Sequence, residues 1–267
     1  LLHQDLSFIE LKLCRQYPDI MIMDVVELRE FYASPLGLAA EHSISMSLSS
    51  IWNPSGGEIF LGLGFPIPWM DRFAADAEKS MIMMQARQGA LQWPTADSPA
   101  TALVYDDELP LRDGSVDRIL MMHFLEQAES PEDCIAEAWR VLSPGGTLVL
   151  VVPNRRGVWA RFEHTPFGTG RPYSTGQLNS LLRNNKFTPE SWSDALHFPP
   201  TKRDYILRVK PGFEQLGRRF WPVFSGVVCV IATKRLYQGI PVTARAKRRV
   251  VVPALVPQGT SRSRREA

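Results

Sequence analysis

The residues best suited to hold a ligand fall in four places, each at the end of a short apolar run. Glu58-Ile59-Phe60-Leu61 empties into Gly62-Leu63-Gly64-Phe65-Pro66, and the two glycines, lacking a Cβ, let backbone come close to a bound molecule. Ser80-Met81-Ile82-Met83-Met84 ends at Gln85, an amide that can both donate and accept. Thr101 to Tyr105 leads into Asp106 and Asp107, either of which could accept from a ligand amine or hydroxyl; with Glu108 they read equally as a solvated acidic turn. Asp117 to Met122 ends at His123, whose imidazole could take a proton from a nucleophile near neutral pH or could simply line a pocket. Further on, Phe162 to Tyr173 carries His164, Arg171 and Tyr173 in a stretch rich in glycine, proline and aromatics, which reads as a lid or as a long connection.

The elements that must position these residues alternate. A helix is expected from Met23 to about Ala40, with Val26, Leu28, Phe31 and Tyr32 as a partly apolar face and Pro35 as its stop. Ser43 to Gly57 reads as a serine-rich connection closing in the turn Asn53–Gly57. Strands are expected near 58–61, 81–84, 101–105, 117–122 and 147–152, parallel and adjacent, with later strands near 190–196 and 227–233, the last antiparallel. Pro68 to Ala77 reads as a helix. The best-specified helix follows Ser130: Pro131 suits the first helical position, Glu132 and Asp133 suit its positive end, and Ile135, Ala138, Trp139 and Leu142 form one stripe. Ser174-Thr175-Gly176-Gln177 has capping-box form. Strand and helix in alternation imply an α/β, doubly wound and mostly parallel sheet. Ligands then sit beyond the carboxyl ends of the strands at the switch point, among Gly62–Pro66, Gln85, Asp106–Asp107 and His123. On this reading a side chain at Gly64 projects into ligand space, and glutamate at position 85 holds a diol more tightly than glutamine.

From Leu109 to Asn154 the chain resembles the class I S-adenosylmethionine-dependent methyltransferases, in particular their type 11 branch. Leu109-Pro110-Leu111-Arg112-Asp113-Gly114-Ser115-Val116-Asp117 is similar to that family's entry to its fourth strand, Phe124-Leu125-Glu126-Gln127 to its LEH segment, and Trp139-Arg140-Val141-Leu142-Ser143-Pro144-Gly145-Gly146-Thr147-Leu148 to its RVLKPGG segment. The resemblance implies a seven-stranded Rossmann-like sheet, S-adenosylmethionine as cofactor, no metal, and methyl transfer to an acceptor that the motifs do not name. It implies cofactor contacts from Gly62, Gly64, Phe65, Gln85, Asp106, Asp107 and His123, with His123 as the catalytic residue. Three positions depart from the pattern: Phe60 stands where the family has an acid, Pro66 replaces a third glycine, and Gln85 replaces the acid that holds both ribose hydroxyls. These departures motivate, beside the leading reading of methyl transfer, the alternative of a binding or regulatory protein on a degenerate methyltransferase fold. Tyr32-Ala33-Ser34-Pro35-Leu36-Gly37 and the segment 203–220 resemble parts of an uncharacterised bacterial branch.

At 267 residues, 45% apolar and 22% charged, the chain has the profile of an ordinary globular protein. Residues 1–57 are expected to form an extension and helical cap, 58–236 the methyltransferase domain with a helical insertion near 203–220, and 237–267 a basic disordered tail. Residues 240–267 hold seven of the 30 basic residues and one of the 28 acidic ones, so the remainder is mildly acidic. Nucleic acid is therefore an unlikely partner despite the tail, a nicotinamide dehydrogenase lacks its G-x-G-x-x-G turn, and a small-molecule acceptor is expected. Cys14, Cys134 and Cys229 are odd in number and far apart, which argues against a disulfide scaffold. With no apolar run of membrane-spanning length and no signal-like start, the protein is read as cytoplasmic, with Met21 or Met23 as possible starts.

Overall fold

The computed structural model describes residues 22–200, apart from 55, 96 and 98, together with 225–236. The insertion expected near 203–220 and the basic tail lie outside the described residues. Seven strands form one sheet: β1 (Ile59–Gly64), β2 (Lys79–Gln85), β3 (Thr101–Val104), β4 (Val116–Met122), β5 (Leu142–Pro153), β6 (Phe187–Ala195) and β7 (Val227–Lys234). Their order is β3-β2-β1-β4-β5-β7-β6. The first five pair in parallel, and β7 runs antiparallel between β5 and β6. The expected strands are all present, and β1 runs on through both glycines instead of ending before them.

Alternation along the strands sorts side chains to two cores, as a period of two requires. Phe60, Leu120, Met122, Val149 and Val151 face α1 (Val25–Ala33), α2 (Pro35–Ser49) and α3 (Ile67–Phe73). Leu61, Leu63, Ile119, Met121, Leu148 and Leu150 face α4 (Pro131–Val141) and α5 (Thr175–Asn184). Both expected caps are in place: Ser130 accepts from the Asp133 amide, and Ser174 and Gln177 form a reciprocal box.

The N-terminal region differs from its sequence reading. Instead of one helix stopped by Pro35, there are two, because Ser34 caps the second and Pro35 takes its first position, where a missing N–H goes unmissed. The serine-rich stretch is helical as far as Ser49, since its hydroxyls find partners across the sheet edge. Ser47 Oγ lies 2.6 Å from Ser193 Oγ, and the Leu196 amide donates to Ser43 Oγ at 3.0 Å.

The segment leading into β4 is fastened by α4. Arg140 donates to the carbonyls of Leu109 and Leu111 and pairs with Asp113, while Glu137 accepts from the Leu109 amide and from Arg140. Burial raises the Glu137 carboxyl, but the bonds from Arg140 and the Leu109 amide more than offset it and hold the group below the usual carboxylate range. A lowered folded-state value means stability that is present above the unfolded-state pKa and is lost as pH falls through the folded one. Glu137→Gln should therefore cost about 1–3 kcal/mol at pH 7. Urea unfolding curves of parent and variant should begin to draw together below roughly pH 4, the ordinary range of a glutamate, and converge once the pH is below the lowered folded-state value.

Candidate functional site

The site lies at the carboxyl ends of β1, β2, β3 and β4, where the strand order reverses. At the end of β1, Gly64 has φ +82°, and a Cβ on it would lie 2.1 Å from Met122 O of β4. The Phe65 amide donates to that same carbonyl at 2.8 Å. A Gly64 side chain would thus strike β4 and the His123 backbone, contrary to the expectation that it would enter ligand space. Gly62 is required by its own turn: a Cβ there would sit 2.4 Å from Pro66 Cγ. Phe60, at the position of the family's acid, is fully buried and packs on Trp52, ring centroids 5.6 Å apart.

Gln85 ends β2 with no exposed surface. Its Nε2 donates to Asp106 Oδ1 at 2.9 Å and to Phe124 O at 3.2 Å, while Oε1 has no partner. Asp106 Oδ2 accepts from Arg87 at 2.6 Å and from the Glu129 amide at 2.9 Å. Arg87 also reaches Glu129. Asp107 is exposed on the turn, so of the two aspartates Asp106 belongs to the buried network. Ala86, Arg87, Val104, Tyr105, Asp106 and Glu129 are among the residues bordering an open cavity of about 450 Å³, and the Tyr105 ring on its rim is 71% exposed.

His123 follows β4 with φ +53°, a left-handed conformation that is rare and strained for a residue bearing a Cβ. Its ring is clamped at both nitrogens: Nδ1 lies 3.0 Å from Glu126 Oε1 and Nε2 lies 2.7 Å from the Tyr32 hydroxyl. A carboxylate only accepts, so Nδ1 carries the proton and Nε2 is the acceptor for the Tyr32 O–H. Burial, then the charges of Glu126 and Glu41, raise the Tyr32 phenol well above its ordinary value and keep it protonated. Tyr32 stacks on Phe65 and meets Trp69 and Phe31 edge-on, and Phe167 completes the surround of His123. The start of α1 is tied to the turn after β2, the Val25 amide donating to Gln88 O at 2.9 Å.

The stretch from Phe162 to Tyr173 packs on the segment after β4: the Arg171 amide donates to Glu126 O, and the Tyr173 hydroxyl to Leu125 O. His164 stays at the surface, against Phe162. The structure therefore brings Gly62, Gly64, Phe65, Gln85, Asp106 and His123 to one end of the sheet and leaves Asp107 at its margin. Tyr32, Arg87, Tyr105 and the role of Glu126 were missed. Glu126 sits in a segment already singled out, but Tyr32 is 91 residues from its partner and no local pattern announces the contact.

The donor and acceptor chemistry fits a nucleoside-bearing cofactor. Gln85 Oε1 is a buried acceptor lacking a donor, a complement to hydroxyl groups, and the cavity bordered by its neighbours Ala86, Arg87 and Asp106 has an aromatic face and carboxylates at hand.

Residues 62–150 match the family described as methyltransferase domain. A Mycolicibacterium smegmatis protein described as a "probable S-adenosylmethionine-dependent methyltransferase" is 32% identical over 95 residues, 34% of this chain and 35% of that protein. An uncharacterised protein of a Streptomyces fradiae transposon is 29% identical over 111 residues, 41% of this chain and 30% of that one. The chain thus spans about a third to a half of the length of the curated relatives it matches. Among solved structures, an S-adenosylmethionine-dependent methyltransferase of Thermotoga maritima superposes with TM-score 0.54 at 17% identity, covering 79% of this chain and 96% of the other. One from Aquifex aeolicus gives 0.52 at 14%, covering 79% and 99%. At these identities the likeness establishes the shared fold.

Two substitutions probe the site. Gly64→Ala should lower stability by about 2–5 kcal/mol, combining left-handed strain with a steric clash. Gln85→Glu, which the sequence alone favours, should also destabilise, because it sets a carboxylate against Asp106 and the Phe124 carbonyl. Thermal melts should show the Gln85→Glu penalty shrinking at acidic pH, where protonation relieves the repulsion.

Proposed function

We propose that this chain, which carries an S-adenosylmethionine-dependent methyltransferase domain over residues 62–150, transfers the methyl group of that cofactor to a small-molecule acceptor. When bound, S-adenosylmethionine supplies a methyl group already activated by its sulfonium, so the protein's task is to bind, orient and dry two reactants, a service worth roughly 7–11 kcal/mol. Gln85 Oε1 is the acceptor for the ribose hydroxyls, and Asp106, with Asp107 at the rim, borders the adenine side. Gly62, Gly64 and Phe65 form the backbone edge, and His123 receives the proton that the acceptor loses. The observation that carries this reading is the orphaned, fully buried Gln85 Oε1 at the switch point, joined through Asp106 to a cavity of about 450 Å³ that Ala86, Arg87 and Asp106 border.

A second reading is favoured by one feature: both Asp106 oxygens are already engaged by Gln85, Arg87 and the Glu129 amide, so the network is closed without a ligand. On it, the domain is a regulatory or binding protein that no longer holds the cofactor. No described helix is long and apolar enough to cross a membrane. A cytoplasmic, bacterial setting is supported by the odd, scattered cysteines and by the bacterial relatives.

Calorimetric titration separates the readings. S-adenosylmethionine should bind with a micromolar dissociation constant, about −8 kcal/mol. Asp106→Ala, which strips the amide of Gln85 of one of its two partners, should weaken binding at least tenfold with the fold retained in thermal melts. Absence of binding up to millimolar cofactor would overturn the enzymatic reading and leave the regulatory one.

A further inference from the structure

We propose that Tyr32 occupies the acceptor subsite, and that the acceptor is a phenol, a flat aromatic ring bearing one ionisable hydroxyl, which takes the place of the Tyr32 side chain. This rests on the methyl-transfer reading and assigns its missing substrate class.

The Tyr32 ring is itself a phenol held as a substrate would be. Its ring lies nearly parallel to Phe65 at 5.8 Å and 13°, with Trp69 edge-on at 5.2 Å and 83° and Phe31 at 5.1 Å and 85°. Such a slot selects flat aromatic rings by contact area and by quadrupole. Its hydroxyl meets His123 Nε2, the one unprotonated nitrogen of a ring whose Nδ1 is held by Glu126. The slot therefore combines an aromatic enclosure with a proton acceptor placed at the position of the ring's own hydroxyl. That combination suits a nucleophile that must lose a proton, and it gives nothing to one already charged or to an aliphatic chain.

Tyr32 comes from α1, outside the strands that carry the rest of the site, and α1 is tied to the sheet's ligand end through the Val25 amide and Gln88 O. The strained backbone of His123 points the same way. The left-handed histidine turns sharply out of β4, and its imidazole meets the occupant of the slot at the hydroxyl. Glu126 Oε2, buried and without a hydrogen-bond partner, leaves one carboxylate lone pair to stabilise the imidazolium that forms. In the transfer, the phenol oxygen gains the methyl carbon as the carbon–sulfur bond breaks. The bonding pair stays on sulfur, and the hydroxyl proton passes to His123 Nε2, so charge and atoms balance.

The test uses the full chain with 4-methylphenol and toluene as probes. Tyr32→Ala should open a ring-sized hole that binds 4-methylphenol at least tenfold more tightly than toluene, read by ligand-observed NMR, and at least tenfold more tightly than the parent does. Equal binding of the two probes, or none to a folded variant, overturns the proposal. Should Tyr32→Ala fail to fold, Tyr32→Phe keeps the ring and removes only the competing hydroxyl. With S-adenosylmethionine it should convert 4-methylphenol to 4-methylanisole, detected by mass spectrometry, with KM at least fivefold below the parent's. An unchanged or raised KM, or no product, overturns it. Cofactor calorimetry on the same samples keeps the two ideas apart. Cofactor binding without phenol selectivity sinks the subsite alone, whereas phenol selectivity in Tyr32→Ala without cofactor binding sinks methyl transfer and leaves the phenol site standing.

Discussion

The close approach of β1 to β4 at Gly64 is the constraint on which the rest of the site depends. With a Cβ excluded by Met122 O at 2.1 Å, the chain can leave β1 in a left-handed turn and place the Phe65 amide on that same carbonyl. Two consequences follow at once. Phe65 is delivered to the aromatic slot, and β4 must end in a residue that turns away sharply, which His123 does at φ +53°. The strain at His123 is distributed over three fastenings: the Phe65–Met122 bond, Glu126 and Tyr32. The switch point is thus rigid because two backbones compete for the same space, and glycine is the one residue that lets both pass.

Charge is arranged around this point by the same economy. A buried carboxylate at position 85 would need a donor of its own, and its neighbours Asp106 and Phe124 O are both acceptors. Glutamine resolves the conflict by donating to each and leaving its carbonyl open. Arg87 then neutralises Asp106 from the solvent side and reaches Glu129, so the turns after β2 and β3 and the start of α4 are joined by one guanidinium. The replacement of the family's acid by glutamine is therefore coupled to Arg87 and Asp106 and cannot be judged at position 85 alone.

Much of the fold was legible because it is local. The unbroken apolar runs of β1, β4 and β5, the serine caps of α4 and α5, and the glycine-bounded turns each need only a few neighbouring residues to declare themselves. The break between α1 and α2 was misread because Ser-Pro carries two messages: a stop for the preceding helix and a start for the next, and only the cap bond from Gly37 to Ser34 decides. Within the site, the positions after β1, β2, β3 and β4 were legible from the switch-point rule, since each follows its own strand. The partners of those residues were not. Arg87 to Asp106, Glu126 to His123 and Tyr32 to His123 depend on how separate turns meet, and an exposed-looking arginine or a helical tyrosine gives no sign of it. Two of the motifs that carried the family resemblance proved to do structural work: Leu109, Leu111 and Asp113 on one side and Arg140 on the other are the two halves of a single clamp.

That division shapes how the domain divides its labour. The Arg140 clamp, the Gly64 turn and the Gln85–Asp106 network are all made by the sheet and by residues within the span 62–150 that matches the methyltransferase family. The aromatic slot around His123 draws Phe65 and Trp69 from that span, but its occupant and one wall, Tyr32 and Phe31, come from α1, which precedes it. A sheet that offers the same end to one cofactor can then be given different acceptors by changing the helix laid across it, since the helix alters the slot without touching the strands. Positions 25–33 therefore contribute walls to this end of the sheet that motif matching within the domain cannot see. The bond from Tyr32 to His123 is where the two parts meet: it ties the appended helix to the one imidazole that the sheet holds under strain.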